Sequence, residues 1–66
     1  MIMKGFLAAQ IGYYLELSVL QSRAGYYIGT SQDFIPVSRE SVEYFKTQAE
    51  AQAALENNSF TQRLSS

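Results

Sequence analysis

From Tyr13 to Gln21 the side chains alternate: Tyr13, Leu15, Leu17 and Val19 share one side of an extended chain, and Tyr14, Glu16, Ser18 and Leu20 share the other. A period of two predicts a half-buried strand over residues 13–21. Ser22-Arg23-Ala24-Gly25 interrupts the pattern with small and flexible residues, and Tyr26-Tyr27-Ile28-Gly29-Thr30 resumes it with aromatic and β-branched types. The two runs therefore form a β-hairpin. The stretch from Ser31 to Pro36 reads as the next loop, because proline has no N–H for a ladder and Asp33 and Ser31 favour local turns. A third strand is predicted over residues 37–45. Before residue 13 the apolar positions Phe6, Leu7 and Ile11 fit neither period. A first strand over residues 3–9 that turns at Gly12 is the preferred reading, with a short N-terminal helix as the alternative.

The best-specified element follows. Thr47-Gln48-Ala49-Glu50 fits a capping box, in which the threonine hydroxyl accepts from the N–H of Glu50 and the Glu50 carboxylate reaches back to the N–H of Thr47. Ala49, Ala51, Ala53, Ala54 and Leu55 are strong helix formers, and Ala51, Ala54 and Leu55 share a face on which small side chains let a helix sit close to a sheet. Asn57-Asn58 supplies residues that tolerate the left-handed conformation of a helix end, and Phe60 is placed to fold back on the last turn. The expected fold class is α+β: a three- or four-stranded antiparallel sheet followed by one C-terminal helix packed on one face. It occupies a single domain, residues 1–66, with 61–66 as a loose tail.

Size changes the picture. A 66-residue chain buries only about 60% of the surface its unfolded form exposes. There is no Cys and no His, so neither a disulfide nor the commonest metal ligands support this small core. Self-association through an unpaired strand edge is the remaining support, and a homodimer is expected. Apolar residues make up 47% of the chain and charged residues 17%, which excludes a disordered chain and leaves apolar surface to meet a partner. The net charge is −1, and Lys4, Arg23, Arg39, Lys46 and Arg63 are scattered. Nucleic-acid binding, which draws its affinity from clustered cations, is disfavoured. The apolar start after Lys4 is broken by Gln10 and Glu16, too soon for a membrane span or a secretory leader, so a cytoplasmic protein without a membrane anchor is expected.

Candidate chemistry is thin. Without Cys or His the usual activated nucleophiles are missing. Glu16, Glu40 and Glu43 fall on predicted strands, where a carboxylate pair is conceivable, but solvated strand carboxylates are the simpler reading. Arg39, Glu40, Glu43 and Lys46 together read as charges that blunt an edge strand. Asp33 lacks the alternating ligands of a calcium loop, and no helix start follows Gly25 or Gly29 to make a phosphate loop. No catalytic residue, metal or cofactor is expected.

The five tyrosines, Tyr13, Tyr14, Tyr26, Tyr27 and Tyr44, are the most unusual feature. Adjacent pairs on neighbouring strands put one ring on each face of the sheet. An exposed ring beside Leu20 and Ile28 or Phe34 suits a protein-binding hot spot or a stacking platform for bases, while cross-strand support of the sheet is the structural alternative. Tyr14, Tyr27, Arg39 and Tyr44 are the candidate partner-binding residues.

The runs Gly25-Tyr-Tyr-Ile-Gly-Thr, Ser38-Arg-Glu-Ser-Val-Glu-Tyr-Phe-Lys-Thr and Glu50-Ala-Gln-Ala-Ala-Leu, across the last two thirds of the chain, resemble small reading frames of bacteriophages and other bacterial mobile elements. That resemblance implies a setting, in which small proteins act as adaptors or inhibitors of host proteins, anti-CRISPR proteins among them. The expected function is a non-enzymatic protein-interaction module, the alternative being a small nucleic-acid-binding protein that stacks bases on tyrosines.

Overall fold

The computed structural model describes residues 4–65. Its elements are helix α1 (Phe6–Gln10), strands β1 (Ser18–Ser22), β2 (Gly25–Gln32) and β3 (Ile35–Arg39), and helix α2 (Gln48–Glu56). The strands form one antiparallel sheet in the order β1-β2-β3, and α2 packs on β1 and β2 while α1 packs on β3. The α+β class and the antiparallel sheet are as the pattern predicts; the sheet has three strands, the smaller of the two numbers expected, and a second helix precedes it.

That helix replaces the strand expected over residues 3–9, of which Met3 lies outside the described residues. Lys4 alone makes an isolated antiparallel bridge, to Glu16. One turn of helix has almost no stability of its own, so α1 depends on its ends. At its C-terminus Gly12 adopts φ +92°, and the N–H groups of Tyr13 and Gly12 donate to the carbonyls of Ala8 and Ala9 at 2.8 and 3.1 Å. This is the Schellman arrangement, and it needs a residue free to enter left-handed space. At its N-terminus no local side chain caps Gly5; the Leu7 and Ala8 N–H groups are taken instead by Glu40, over thirty residues away in sequence. A pattern read locally holds no trace of that partner.

The hairpins are tight. Arg23-Ala24 links the paired Ser22 and Gly25, and Asp33-Phe34 links the paired Gln32 and Ile35. The expected loop from Ser31 to Pro36 thus shrinks to two residues, with Pro36 inside edge strand β3. Between Thr30↔Ser38 and Ser31↔Pro36 the register shifts and leaves Val37 as a bulge. The predicted third strand ends early at Arg39, because the Ile28 carbonyl accepts from both Glu40 and Ser41. The chain then bows out and returns to β2 only where Tyr26 and Phe45 exchange backbone bonds of 2.8 and 2.7 Å.

The helix α2 starts where its capping sequence predicts, with Thr47 as the N-cap accepting from the Glu50 N–H at 3.1 Å, but only this half of the capping box forms: the Glu50 carboxylate takes no bond from the Thr47 N–H. It ends at Asn58, φ +52°, in a second Schellman motif in which Ser59 N–H donates to Ala54 at 2.8 Å and Asn58 N–H to Leu55 at 3.2 Å. The buried apolar core consists of Leu7, Ala8, Tyr27, Ile28, Ala51 and Ala54. Residues 61–63 of the segment expected as a loose tail lie against residues 39–43: Val42 N–H donates to Thr61, Arg63 N–H to Glu40, and Thr61 N–H to the Glu43 carboxylate. Ser66 lies outside the described residues.

Candidate interaction surface

The β2–β3 hairpin ends in an unusual turn. Asp33 and Phe34 both have positive φ, +52° and +67°, the two left-handed positions of a type I′ turn, where Asn-Gly is the favoured pair. Asp tolerates that conformation through its short polar side chain. Phe does not, and a bulky residue held there is strained by roughly 1–2 kcal/mol. Nothing offsets the strain by burial, because Phe34 is fully exposed (102%). Ile11, Tyr13 and Ile35 are exposed as well and line a common groove beside the tip, an exposed apolar surface of the kind that marks interaction sites.

Two adjoining grooves run from this tip along β3. The first, of about 430 Å³, lies between the end of α1 and the strand and includes Ile11, Tyr13, Asp33, Ile35 and Val37. The second, of about 280 Å³, shares Ile11 and Val37 and continues past Leu7 and Ser38 to Arg39 and Arg63. The cleft therefore has an acidic end at Asp33, an apolar middle and a basic end. The Arg63 guanidinium is tied to the strand by a 3.1 Å bond to the Arg39 carbonyl.

Of the four residues singled out in the sequence, the fold brings three together. Tyr27 and Tyr44 meet edge to face with ring centroids 5.9 Å apart at 73°, and the Arg39 guanidinium lies 4.7 Å over the Tyr44 ring. Tyr27 is 7% exposed and Tyr44 is open to solvent, so Tyr44 and Arg39 present the surface and Tyr27 supports it. Burial raises the Tyr27 hydroxyl above its ordinary pKa, with a further rise from Tyr44 and an opposing pull from Arg39. Tyr14 stands apart at 75% exposure. It and Tyr13 lie ahead of β1, outside the ladder in which they were expected to split between two faces. Ile28, expected beside an exposed ring, is in the core.

Glu40 overturns its reading as a solvated edge charge. It is 0% exposed. One carboxylate oxygen accepts from Leu7 N–H at 2.9 Å and Gln62 Nε2 at 2.7 Å, the other from Ala8 N–H at 3.0 Å and the Ser38 hydroxyl at 2.6 Å. Ser38 and Thr30 hydroxyls are 2.7 Å apart, which extends the network into β2. Gly5 makes the approach possible, because a Cβ there would stand 2.5 Å from Thr30 Cγ2 and 2.7 Å from Glu40 Oε2. Desolvation pushes the Glu40 pKa up, but the bonds from Ser38, Leu7, Gln62 and Ala8 outweigh it and hold the carboxyl below its ordinary range. The saturated carboxylate has no lone pair left for substrate and joins α1, β3 and residue 62. Its one sequence signal is the i, i+2 pairing of Ser38 with Glu40.

Glu43 is also lowered: desolvation opposes ionisation, and bonds from Thr61 favour it. Among the described residues no group of three His, Cys, Asp or Glu side chains is arranged to hold a metal ion, and no helix is long and apolar enough to cross a membrane. The chain matches no protein-family model, and neither a curated protein nor a solved structure matches it.

Proposed function

We propose that the chain is a non-enzymatic protein-interaction module acting in the cytoplasm, of phage or mobile-element origin, that works as an adaptor or inhibitor by occupying a surface of another protein. The observation that carries this reading is Phe34: a large apolar ring held in a strained turn and left wholly in solvent lowers stability with no return inside the fold, as expected of a binding residue. The cleft beside it adds apolar floor and charged ends, and the Arg39–Tyr44 stack with exposed Tyr14 offers further contacts. Glu40 is already saturated by internal donors and Glu43 accepts from Thr61, which favours binding over acid–base catalysis.

The test compares capture of host proteins from bacterial lysate by the tagged chain and by its Phe34→Ser variant, each with and without nuclease. A stoichiometric protein that survives nuclease and is lost with Phe34→Ser supports the module. Retention of nucleic acid alone, abolished by nuclease, would move the reading to base stacking on Tyr14 and Tyr44. Capture indifferent to Phe34 would remove the hairpin tip from the interface.

A further inference from the structure

The cleft along β3 is self-complementary. Asp33 stands at one end of the cleft and Arg39 with Arg63 at the other, with Ile35, Pro36 and Val37 between them. When two copies of β3 approach antiparallel about a two-fold axis near Pro36, Asp33 of each copy comes beside the Arg39 and Arg63 end of the other, twice over. The same operation turns the hairpin tip of each copy, with its exposed Phe34, towards the Ser38 and Arg39 end of its mate. There the second groove, about 280 Å³ and floored by Leu7, Ile11 and Val37, is wide enough for a phenyl ring, and its arginines offer cation–π contact.

We propose that the occupant of this cleft is a second copy of the chain, docked antiparallel with Phe34 in the partner's groove and Asp33 paired to the partner's basic end. The inference rests on the protein-binding reading and names a second copy as the molecule that Phe34 meets, leaving exposed Tyr44 and Tyr14 for a different protein. An isologous contact of this kind closes on itself and does not propagate into fibres. Pro36 at the centre of the contact has no N–H to donate, so the strands meet through side chains and do not extend the sheet.

The experiment measures the mass of the purified chain by sedimentation equilibrium across a concentration series. The wild type is expected at twice its 7.4 kDa. Asp33→Lys alone sets lysine against arginine and Arg63→Glu alone sets glutamate against aspartate, each at both ends of the dimer, so each variant should raise the dimer dissociation constant at least tenfold. An equimolar mixture of the two restores an opposite-charge pair at each end and should recover the dimer. Because Arg63 also ties down residue 63, folding of its variant is checked by circular dichroism. If it does not fold, Phe34→Ser at its fully exposed position replaces it, with loss of the dimer expected. A wild-type chain that is monomeric throughout the series overturns the proposal, as does a dimer indifferent to Asp33→Lys. Phe34-dependent capture by a monomeric chain would overturn self-docking while sparing the wider reading; a charge-dependent dimer that captures no other protein would support self-docking and remove the host-protein reading.

Discussion

Replacing Glu40 by glutamine exchanges one oxygen for an amide nitrogen and keeps the side chain's size, so the effect isolates the carboxylate. Two donors converge on each oxygen: Leu7 N–H and the Gln62 amide on one, Ala8 N–H and the Ser38 hydroxyl on the other. In either orientation the new NH₂ faces a backbone N–H that has no alternative acceptor, while Ser38 or Gln62 can turn to accept. One buried N–H is orphaned, at a cost of about 1–3 kcal/mol, and the surviving bonds lose their charge assistance. We expect Glu40→Gln to destabilise by about 2–3 kcal/mol at pH 7. That is a large share of the roughly 3–10 kcal/mol available to a chain of this size at 0.05–0.15 kcal/mol per residue.

The pH dependence gives an independent check. The folded-state pKa of Glu40 is depressed, so the carboxylate's contribution is fully present above the unfolded value of about 4.3 and is lost as pH falls through the folded value. The wild type should therefore weaken on acidification more steeply than Glu40→Gln, and the gap between them should close towards low pH, where protonated Glu40 resembles glutamine. Urea unfolding followed by circular dichroism at several pH values measures this. A variant within 0.5 kcal/mol of wild type at pH 7, or a gap that does not change with pH, would refute the account of Glu40 as a buried, ionised clasp.

Three further perturbations have defined outcomes. Gly5→Ala pushes a methyl group into Thr30 and Glu40 and should cost about 1–3 kcal/mol by urea unfolding; combined with Glu40→Ala, which empties that space, the two costs should fall short of additive. Thr47→Ala removes the acceptor for the Glu50 N–H and should cost about 1 kcal/mol, read as a lower thermal midpoint. Phe34→Gly relieves the left-handed strain at the hairpin tip and should stabilise the monomeric fold by about 0.5–1 kcal/mol while abolishing dimer formation; a variant that is both less stable and still dimeric would contradict the role given to Phe34.

Legibility in the sequence tracked the range of the interactions. The α2 N-cap, its Asn58 end and the turn between β1 and β2 depend on residues within a few positions of one another and are readable, although β1 begins only at Ser18 and not at Tyr13, where the alternating pattern starts. α1 is a single turn whose N-terminus is completed by Glu40, and the end of β3 is set by the double acceptance at the Ile28 carbonyl. Neither tie leaves a local pattern, so residues 3–9 read as a strand and the third strand read too long. The candidate site divides in the same way. Tyr27, Arg39 and Tyr44 could be named from composition, but their stacking, and the burial that turns Tyr27 into a support, depend on the bow in the chain after β3.

Glu40 and Phe34 are the two residues whose settings depart furthest from what their types ordinarily prefer: a carboxylate without water and a phenyl ring without cover. The first is compensated inside the fold by four donors, none of them charged, which makes it a structural clasp and explains why α1 can exist at all. The second has no internal compensation, and its strain adds to the cost of its exposure. A sequence serving stability alone would place glycine at position 34. Keeping phenylalanine there gains something only when the ring is buried by another molecule, which is the role that the proposed docking of a second copy gives it.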